Sequence, residues 1–315
     1  MAIGSGVLAS MGYAKETTKY TRESPVDHFV EHVSESMVLN QSKIKSSGLA
    51  AGRRVLKGFS NGNSNVSGSV TMELVPEGIG ELLELCMGGL VTAGAGPYTH
   101  TFTPGDLASG TFQFGRPSTD GTVRCFEYTG CMVDSWSLSC DATGDGAMIE
   151  FSVDLVGRAE DTGQSLTTVA YPTITARWTS VEASLLVAGS AYCVNSFTLS
   201  GTNNIDVDTK ACAATAGKPD LRESGMREYT GTFTADFDDL TQYNRYVGSD
   251  QSALVINIDD GVSDLAITAN VMYTGSTPVT TGPEVLKQES PFECLSATSD
   301  AAALTMVLTN GDSAA

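Results

Sequence analysis

A strand-then-helix pattern occurs twice in this 315-residue chain, and it constrains the fold more than any other feature of the sequence. The first copy covers residues 67–86 and the second covers residues 230–248. Each begins with alternating apolar and polar residues, as in a strand buried on one face, and continues with apolar residues at helical spacing. Gly68 and Gly231 are equivalent, which gives an offset of 231 − 68 = 163 residues, about half of the chain. The pattern therefore predicts an internal duplication.

Both copies predict an amphipathic helix that packs on the sheet. In the first helix, apolar residues recur at i, i+3, i+4 and i+7, and a stop signal follows at Gly88. The second helix begins at Asp238, which can cap it, and its predicted apolar face consists of Leu240, Tyr243 and Val247. No other helix of useful length is indicated, so the rest of the chain is expected to form sheet and loops.

The sequence predicts a mainly β fold of two tandem β-sandwich or open-barrel domains, each with one helix packed on the sheet. The first domain is expected at residues 1–160, with an extended N-terminal arm at 1–32 and a long polar loop at 40–66. The second is expected at residues 161–315, with a corresponding polar loop at 201–228. Loops of this length are uncommon in compact domains unless they have a function.

The charge balance argues against a nucleic-acid-binding surface of the usual kind. The chain has 37 Asp and Glu against 18 Lys and Arg, a formal net charge of −19, whereas affinity for nucleic acid comes mainly from basic residues that neutralise phosphates. We expect no membrane span and no secretion signal, because the sequence has no apolar run of about 18 residues and no basic leader. Seven cysteines without paired spacing are typical of free thiols in a reducing cytosol.

The motifs that could carry chemistry are better explained as structural features. Residues 58–62 match the G-x-S-x-G nucleophile pattern, but they lie in a polar stretch without the strand and helix that this motif needs. Residues 141–146 begin like a calcium loop, yet Ser152 stands where that loop needs Glu, so we interpret them as a hairpin turn. The chain has three histidines, His28, His32 and His100. His28 and His32 could share one face of a helical turn, but no third metal ligand accompanies them. We predict no catalytic residue, no metal site and no cofactor.

The order of short segments along nearly the whole chain resembles the tail tube proteins of long-tailed, non-contractile bacteriophages, in their larger two-domain form. The segments are GYAKETT at 12–18, SESMVL at 34–39, SGSVT at 67–71, YTGCMV at 128–133, VDLVG at 153–157, REYTGTFT at 227–234, DFDD at 236–239, ESPFE at 289–293 and LTMVLTN at 304–310. The resemblance implies a structural virion protein without an active site, assembled in the cytoplasm of the bacterial host.

The resemblance also implies the partners. Members of this family form rings that stack into a hollow tube, which holds a tape-measure protein before infection and carries the DNA during ejection. Rings normally contain six β-rich domains whose inner sheets join into one barrel, with the helices outside and the long loops contacting the next ring. A tail terminator and baseplate proteins bind the ends of the tube. With two domains per chain, we expect trimeric rings of pseudo-sixfold symmetry, with a hexamer as the alternative.

Two sets of residues are candidates for roles in such a tube. The first is a basic group in the loop at 40–66, expected to contact an acidic face of the next ring, or otherwise to be a solvated loop: Lys43, Lys45, Arg53, Arg54 and Lys57. The second is an acidic group that alternates with core residues on predicted strands, expected to line the lumen, or otherwise to face solvent outside the tube: Glu73, Glu150, Asp154 and Asp236. An acidic lumen would let DNA pass without binding.

Other classes of function stay open at this point. A tail terminator or a baseplate hub could have a similar fold, and the copy number in purified particles would distinguish it from a tube protein. A surface adhesin or carbohydrate-binding module would need a secretion signal and exposed aromatic residues, whereas Trp136 and Trp178 lie at strand positions typical of a core. An enzyme is the least supported class.

Overall fold

The structure, a computed structural model, describes residues 5–49, 52–143, 145–174, 176–209, 217–280, 282–296 and 298–313. It is 52% strand and 8% helix, which confirms the predicted mainly β fold. Parts of three predicted segments lie outside the described residues, namely 1–4 of the arm, 50–51 of the first loop and 210–216 of the second.

Eleven strands lie in the first half of the chain. They are β1 (Ser10–Lys15), β2 (His28–Val30), β3 (Ser34–Glu35), β4 (Val38–Lys45), β5 (Phe59–Glu73), β6 (Gly88–Gly94), β7 (Tyr98–Pro104), β8 (Gly110–Pro117), β9 (Val123–Asp141), β10 (Glu150–Gly157) and β11 (Ala159–Asp161). One helix, α1 (Gly80–Met87), lies between β5 and β6.

Ten strands and two helices follow in the second half. The strands are β12 (Ala183–Val187), β13 (Ser190–Tyr192), β14 (Ser196–Thr202), β15 (Ile205–Asp208), β16 (Asp220–Glu223), β17 (Glu228–Asp236), β18 (Gln251–Asp259), β19 (Asp264–Tyr273), β20 (Lys287–Cys294) and β21 (Leu304–Asn310). Helix α2 (Thr241–Gly248) follows β17, and the one-turn helix α3 (Asp300–Ala303), which the sequence does not predict, precedes β21.

The strands form two main series of antiparallel neighbours. The first, which we call the long sheet, has the order β4–β5–β10–β9–β14–β17–β20, with β3 also beside β5. The second has the order β6–β7–β21–β19–β18–β12–β13. The apolar faces of both series, together with α1, enclose one continuous hydrophobic cluster. Trp136 and Trp178 are buried in it, as the sequence predicts.

Strand β9 connects the two halves of the chain. Its N-terminal part pairs with β8, while its C-terminal part pairs with β10 on one side and with β14 on the other. A second connection is the pairing of β7 with β21. Because both connections are strand pairs, both series of strands are continuous across the point where we expect one domain to end and the next to begin. The division into domains 1–160 and 161–315 stays a prediction.

The prediction of an extended N-terminal arm is wrong for residues 10–15. Strand β1 lies between β2 and β8, and Met11 and Tyr13 are fully buried. Gly12 is needed there, because a Cβ at this position would lie 2.7 Å from the ring of Phe29. A strand covered on both faces has no alternation of apolar and polar residues. This explains why the sequence does not indicate a strand at residues 10–15.

The two long polar segments are largely strands rather than loops. Residues 38–66 form a hairpin in which β4 pairs with the N-terminal part of β5, from Leu39 opposite Val66 to Lys45 opposite Phe59. Residues 205–223 contain the small two-stranded sheet β15–β16. Every residue of β4 is exposed. The missing apolar face removes the signal by which a strand is recognised in sequence.

The two predicted helices differ in how they pack. Helix α1 buries Leu82, Leu83 and Cys86 and ends at Gly88, whose φ of 93° suits glycine, so both its apolar face and its end are confirmed. The predicted apolar face of α2 is wrong: Leu240 and Val247 are 54% and 62% exposed. The buried residue of this helix is Gln242, and Tyr246 packs against the core from the side.

Asn203 joins the end of α1, strand β9 and strand β14. Its side chain is fully buried, and Nδ2 donates to the carbonyl oxygens of Cys86 and Val133, both at 3.0 Å. We expect Asn203→Ala to lower the free energy of unfolding by about 1–3 kcal/mol, because it leaves two buried carbonyls unpaired. Urea denaturation measures this. Asn40→Ala, on exposed β4, is the control and should change stability by less than about 0.5 kcal/mol; equal losses at both positions would contradict the role of Asn203.

Candidate functional surfaces

One face of the long sheet is covered with small hydroxyl side chains. Along each central strand, residues that point into the core alternate with partly or fully exposed Ser and Thr. We call this surface the hydroxyl face. Its Ser and Thr residues are Ser69 and Thr71 on β5, Ser152 on β10, Ser135, Ser137 and Ser139 on β9, Ser196, Thr198, Ser200 and Thr202 on β14, and Thr230, Thr232 and Thr234 on β17.

The strand register aligns these hydroxyls in rows across the sheet. Ser152 lies opposite Thr71 on one side and opposite Ser137 on the other, and the row continues through Ser200 to Thr230. Neighbouring hydroxyls bond to each other: the oxygens of Thr71 and Ser152 are 2.8 Å apart, and those of Ser200 and Thr230 are 3.2 Å apart. The rows cross β9 and β14 without interruption, so both halves of the chain contribute to one uniform polar surface.

Three of the four predicted acidic residues lie on two neighbouring strands of this face. Glu73 is directly opposite Glu150 across the β5–β10 pair, and Asp154 lies four residues further along β10. The hydroxyl of Ser135 donates to Asp154 Oδ2 at 2.6 Å. Asp236 is separate, near the far edge of the sheet on β17. All four side chains project from the side opposite the core.

Two basic residues from neighbouring segments approach the acidic residues of this face. Lys287, on β20, is directly opposite Asp236. The guanidinium of Arg177 approaches Glu73, with Nη1 3.2 Å from Oε2, and also binds Glu31 at 2.6 Å. Glu150 and Asp154, by contrast, have no basic partner among the described residues. The alternation of inward and outward side chains along one strand cannot reveal a lysine on the neighbouring strand or an arginine that approaches from a connecting segment.

The register also places further acidic residues on the hydroxyl face. Asp141 is opposite Ser196, and hydrogen bonds from the hydroxyl and the backbone amide of Thr143 lower the pKa of Asp141. The others lie towards the far edge, opposite hydroxyls of β14 or β17: Glu228, Glu289 and Glu293. Alternation of Glu289 and Glu293 with buried Ser290 and Phe292 was a signal that sequence reasoning could have used. The face is therefore predominantly acidic.

The second surface is the hairpin of residues 38–66, which we call the projecting hairpin. It closes where the amide of Ser46 donates to the carbonyl of Gly58 at 2.8 Å, and the described residues 47–49 and 52–57 lie in its tip. The five predicted basic residues all lie on this hairpin. Lys43 and Lys45 are on β4, while Arg53, Arg54 and Lys57 are in the tip.

Large apolar side chains on the projecting hairpin were missed in the sequence. Phe59 is 69% exposed although it is the largest apolar side chain there. Four further apolar side chains of the hairpin are exposed to more than half of their area: Ile44, Leu49, Val55 and Leu56. Isolated apolar residues in a polar stretch give no periodic pattern, so exposure rather than spacing identifies them. Clustered exposed apolar residues are typical of a contact surface.

The motifs with possible chemistry do not form a catalytic arrangement in the described residues. Ser60 lies within strand β5 on the exposed hairpin, without the strand-to-helix turn of a nucleophile elbow. His28 lies in strand β2 rather than in a helical turn. His100 is fully buried, 2.9 Å from the hydroxyl of Thr92 and 3.0 Å from the carbonyl oxygen of Asp312. The six cysteines in the described residues are unpaired.

Comparison with known proteins identifies the family. The family model described as phage tail tube protein matches residues 6–294. A comparison with curated proteins gives no match. Within the described residues, the structure contains no helix that is long and apolar enough to cross a membrane. With nearly its whole length matched, the chain belongs to the phage tail tube protein family, and it is a structural component of the virion tail.

Proposed function

We propose that this protein forms rings that stack into the hollow tube of a phage tail, and that DNA leaves through the lumen past the hydroxyl face. The role is structural rather than catalytic. The observation that carries the proposal is the long sheet, which continues through both halves of the chain and has two edges open to a neighbouring copy.

One open edge is strand β4. Among the described residues it pairs with β5 alone, and all of its residues are exposed. Unpaired backbone amides and carbonyls along such an edge favour pairing with another strand. The edge is too long and too exposed to be a protected end of a monomeric sheet.

The other open edge is the segment at residues 274–280, which runs beside β20. The amide of Thr274 donates to the carbonyl of Pro291 at 2.9 Å, and Gln288 Nε2 donates to the carbonyl of Ser276 at 2.7 Å. This segment continues β19, which is antiparallel to β20. It therefore occupies an eighth position in the long sheet, although it is not a regular strand.

Strand direction supports closure of the sheet into a ring. With eight positions that are each antiparallel to the next, β4 and residues 274–280 run in opposite directions. In a ring with rotational symmetry, β4 of one copy would then lie antiparallel to residues 274–280 of the next. Within the chain, β9 and β14 are also antiparallel, so the contact between chains would have the same strand orientation as the contact between the two halves of one chain. Closure would also remove both sheet edges.

The number of chains per ring is the direct test. If each half of the chain supplies one of six tube domains, electron microscopy of purified tubes should show three chains per ring with approximate sixfold symmetry. Three of the six contacts between domains would then be the β9–β14 pairing within one chain, and the other three would be interfaces between chains. A reconstruction with six whole chains per ring would contradict this stoichiometry, and the second half would have to lie outside the tube wall.

In the proposed tube, the hydroxyl face lines the lumen and the projecting hairpin contacts the next ring. Small hydroxyls and unpaired carboxylates offer no cations to phosphate groups, so DNA or a tape-measure protein would pass without specific binding. The exposed apolar and basic residues of the hairpin would be covered by the adjacent ring. Terminator and baseplate proteins would cover the hairpins and acceptor surfaces left free at the two ends.

A further inference from the structure

Three side chains meet beside the N-terminus of α1, two from adjacent residues and the third from a residue more than 50 positions further along the chain. His28 Nδ1 lies 3.0 Å from Asp27 Oδ1 and 3.6 Å from Glu81 Oε1. The three ligand atoms all lie within 4.8 Å of one another. Asp27 and His28 come from the start of β2, and Glu81 comes from the first turn of α1. A nitrogen and two carboxylate oxygens therefore converge on one point.

Two of these side chains are held in place by their surroundings. The ring of His28 lies against that of Tyr13, with centroids 5.6 Å apart, and the Tyr13 hydroxyl is anchored to the carbonyl of Gly78 at 2.7 Å. The backbone amide of Lys15 donates to Glu81 Oε1 at 2.7 Å. Contacts of this kind orient the ligands of metal sites in proteins. The third side chain, Asp27, is largely exposed.

The local charge favours a cation at this point. Among the described residues, Asp27 and Glu81 form ion pairs with His28 only. The ammonium group of Lys15, whose charge also acts on Glu81, binds both oxygens of Glu84 at 2.8 Å. The His28 imidazole thus lies between two carboxylates, neither of which forms a salt bridge with a Lys or Arg side chain among the described residues.

The spacing suits a small divalent ion. Zn²⁺ binds imidazole nitrogen and carboxylate oxygen at about 2.0–2.2 Å, so neighbouring donors in a tetrahedral site lie roughly 3.3–3.6 Å apart. The two distances from His28 Nδ1 are close to this range. A surface depression of about 270 Å³, also lined by Asp312 and Ser313, lies beside the cluster and leaves room for a water ligand.

We propose that Asp27, His28 and Glu81 form a binding site for a divalent transition metal ion of the Zn²⁺ type, with water completing its coordination. The sequence predicts no metal site, because Glu81 is more than 50 residues from Asp27 and His28 and the three residues have no motif spacing. A mixed nitrogen and oxygen ligand set favours Zn²⁺ over Mg²⁺, which prefers oxygen ligands alone. On binding, the imidazole proton would reside on Nε2, so that Nδ1 can coordinate. The ion would tie β2 to α1.

Isothermal titration of the purified full-length chain with ZnCl₂, after removal of metal by a chelator, tests the proposal. We expect one ion per chain, and affinity reduced at least about tenfold in His28→Gln and in Glu81→Gln. Glu84→Gln is the matched control, since it changes a carboxylate one turn further along α1 that is outside the cluster. MgCl₂ should give no binding at the same concentrations. Thermal unfolding should shift upward with Zn²⁺ in the native chain and not in the two variants.

Two results would overturn the site. One is the absence of Zn²⁺ binding to the native chain, and the other is equal binding by the native chain and the His28 variant, which would place the ion elsewhere. Should His28→Gln or Glu81→Gln fail to fold, Asp27→Asn serves instead, because the Asp27 side chain is exposed and its substitution should leave the fold intact. Circular dichroism checks folding in each case. None of these outcomes depends on tube assembly.

Discussion

Replacing residues 46–58 with an Asn-Gly turn should leave a folded chain that no longer forms tubes. No described residue of the tip belongs to the hydrophobic core, and the last strand pair before it, Lys45 opposite Phe59, offers the spacing that a two-residue turn can close. Thermal unfolding should therefore change little. Assembly should be lost, because the tip carries exposed apolar and basic residues that we expect to contact the next ring. Electron microscopy and sedimentation of the purified variant measure both properties.

The apolar residues of the hairpin should matter more to stacking than the basic ones. An exposed ion pair contributes about 0–1 kcal/mol, whereas burial of a large apolar side chain contributes about 1.5–3 kcal/mol. A quadruple substitution to Ser at Ile44, Val55, Leu56 and Phe59 should thus abolish tubes. Substitution of the five basic residues by Gln should weaken assembly and reduce its dependence on salt. Normal tubes from both the deletion and the apolar variant would refute the stacking role.

The sequence predicts elements with one buried face and misses those with none or two. Strand β5, helix α1 and the hairpin of β9 with β10 were predictable because buried and exposed residues alternate in them at a fixed period. Strand β1 is covered on both faces and β4 on neither, so each lacks that period. Leu240 and Val247 were placed on the apolar face of α2 although they are exposed, because spacing shows which residues share a face and not what the face contacts.

The candidate surfaces were predictable residue by residue but not as arrangements. Parity along single strands identified Glu73, Glu150 and Asp154 on the side opposite the core. Their proximity depends on the register between β5 and β10, which the sequence does not specify. The pairing of Asp236 with Lys287 and the convergence of His28 with Glu81 likewise depend on contacts between distant segments.

Substitution of acidic residues on the hydroxyl face by Lys should slow DNA ejection. Replacing Glu73, Glu150, Asp154 and Asp236 together by Lys would place cations in the lumen, but two of these changes also disturb the sheet. Lys at position 73 would face Arg177, and Lys at position 236 would face Lys287. Like charges directly opposite each other destabilise a strand pair. The double variant Glu150→Lys with Asp154→Lys avoids this problem, because neither residue has a basic partner among the described residues.

Phage particles that carry this double variant should have normal tails and should eject DNA at least about tenfold more slowly at low salt. With three chains per ring, six new ammonium groups would line each layer of the lumen, and each phosphate contact adds to a salt-dependent attraction. High salt should restore the rate, since screening weakens these contacts. The double variant Glu150→Gln with Asp154→Asn is the matched control: it removes the negative charges without adding positive ones and should eject at close to the native rate. Unchanged ejection at low salt, from particles with normal tails, would show that Glu150 and Asp154 do not line the channel, because cations placed in the path of DNA must retard it.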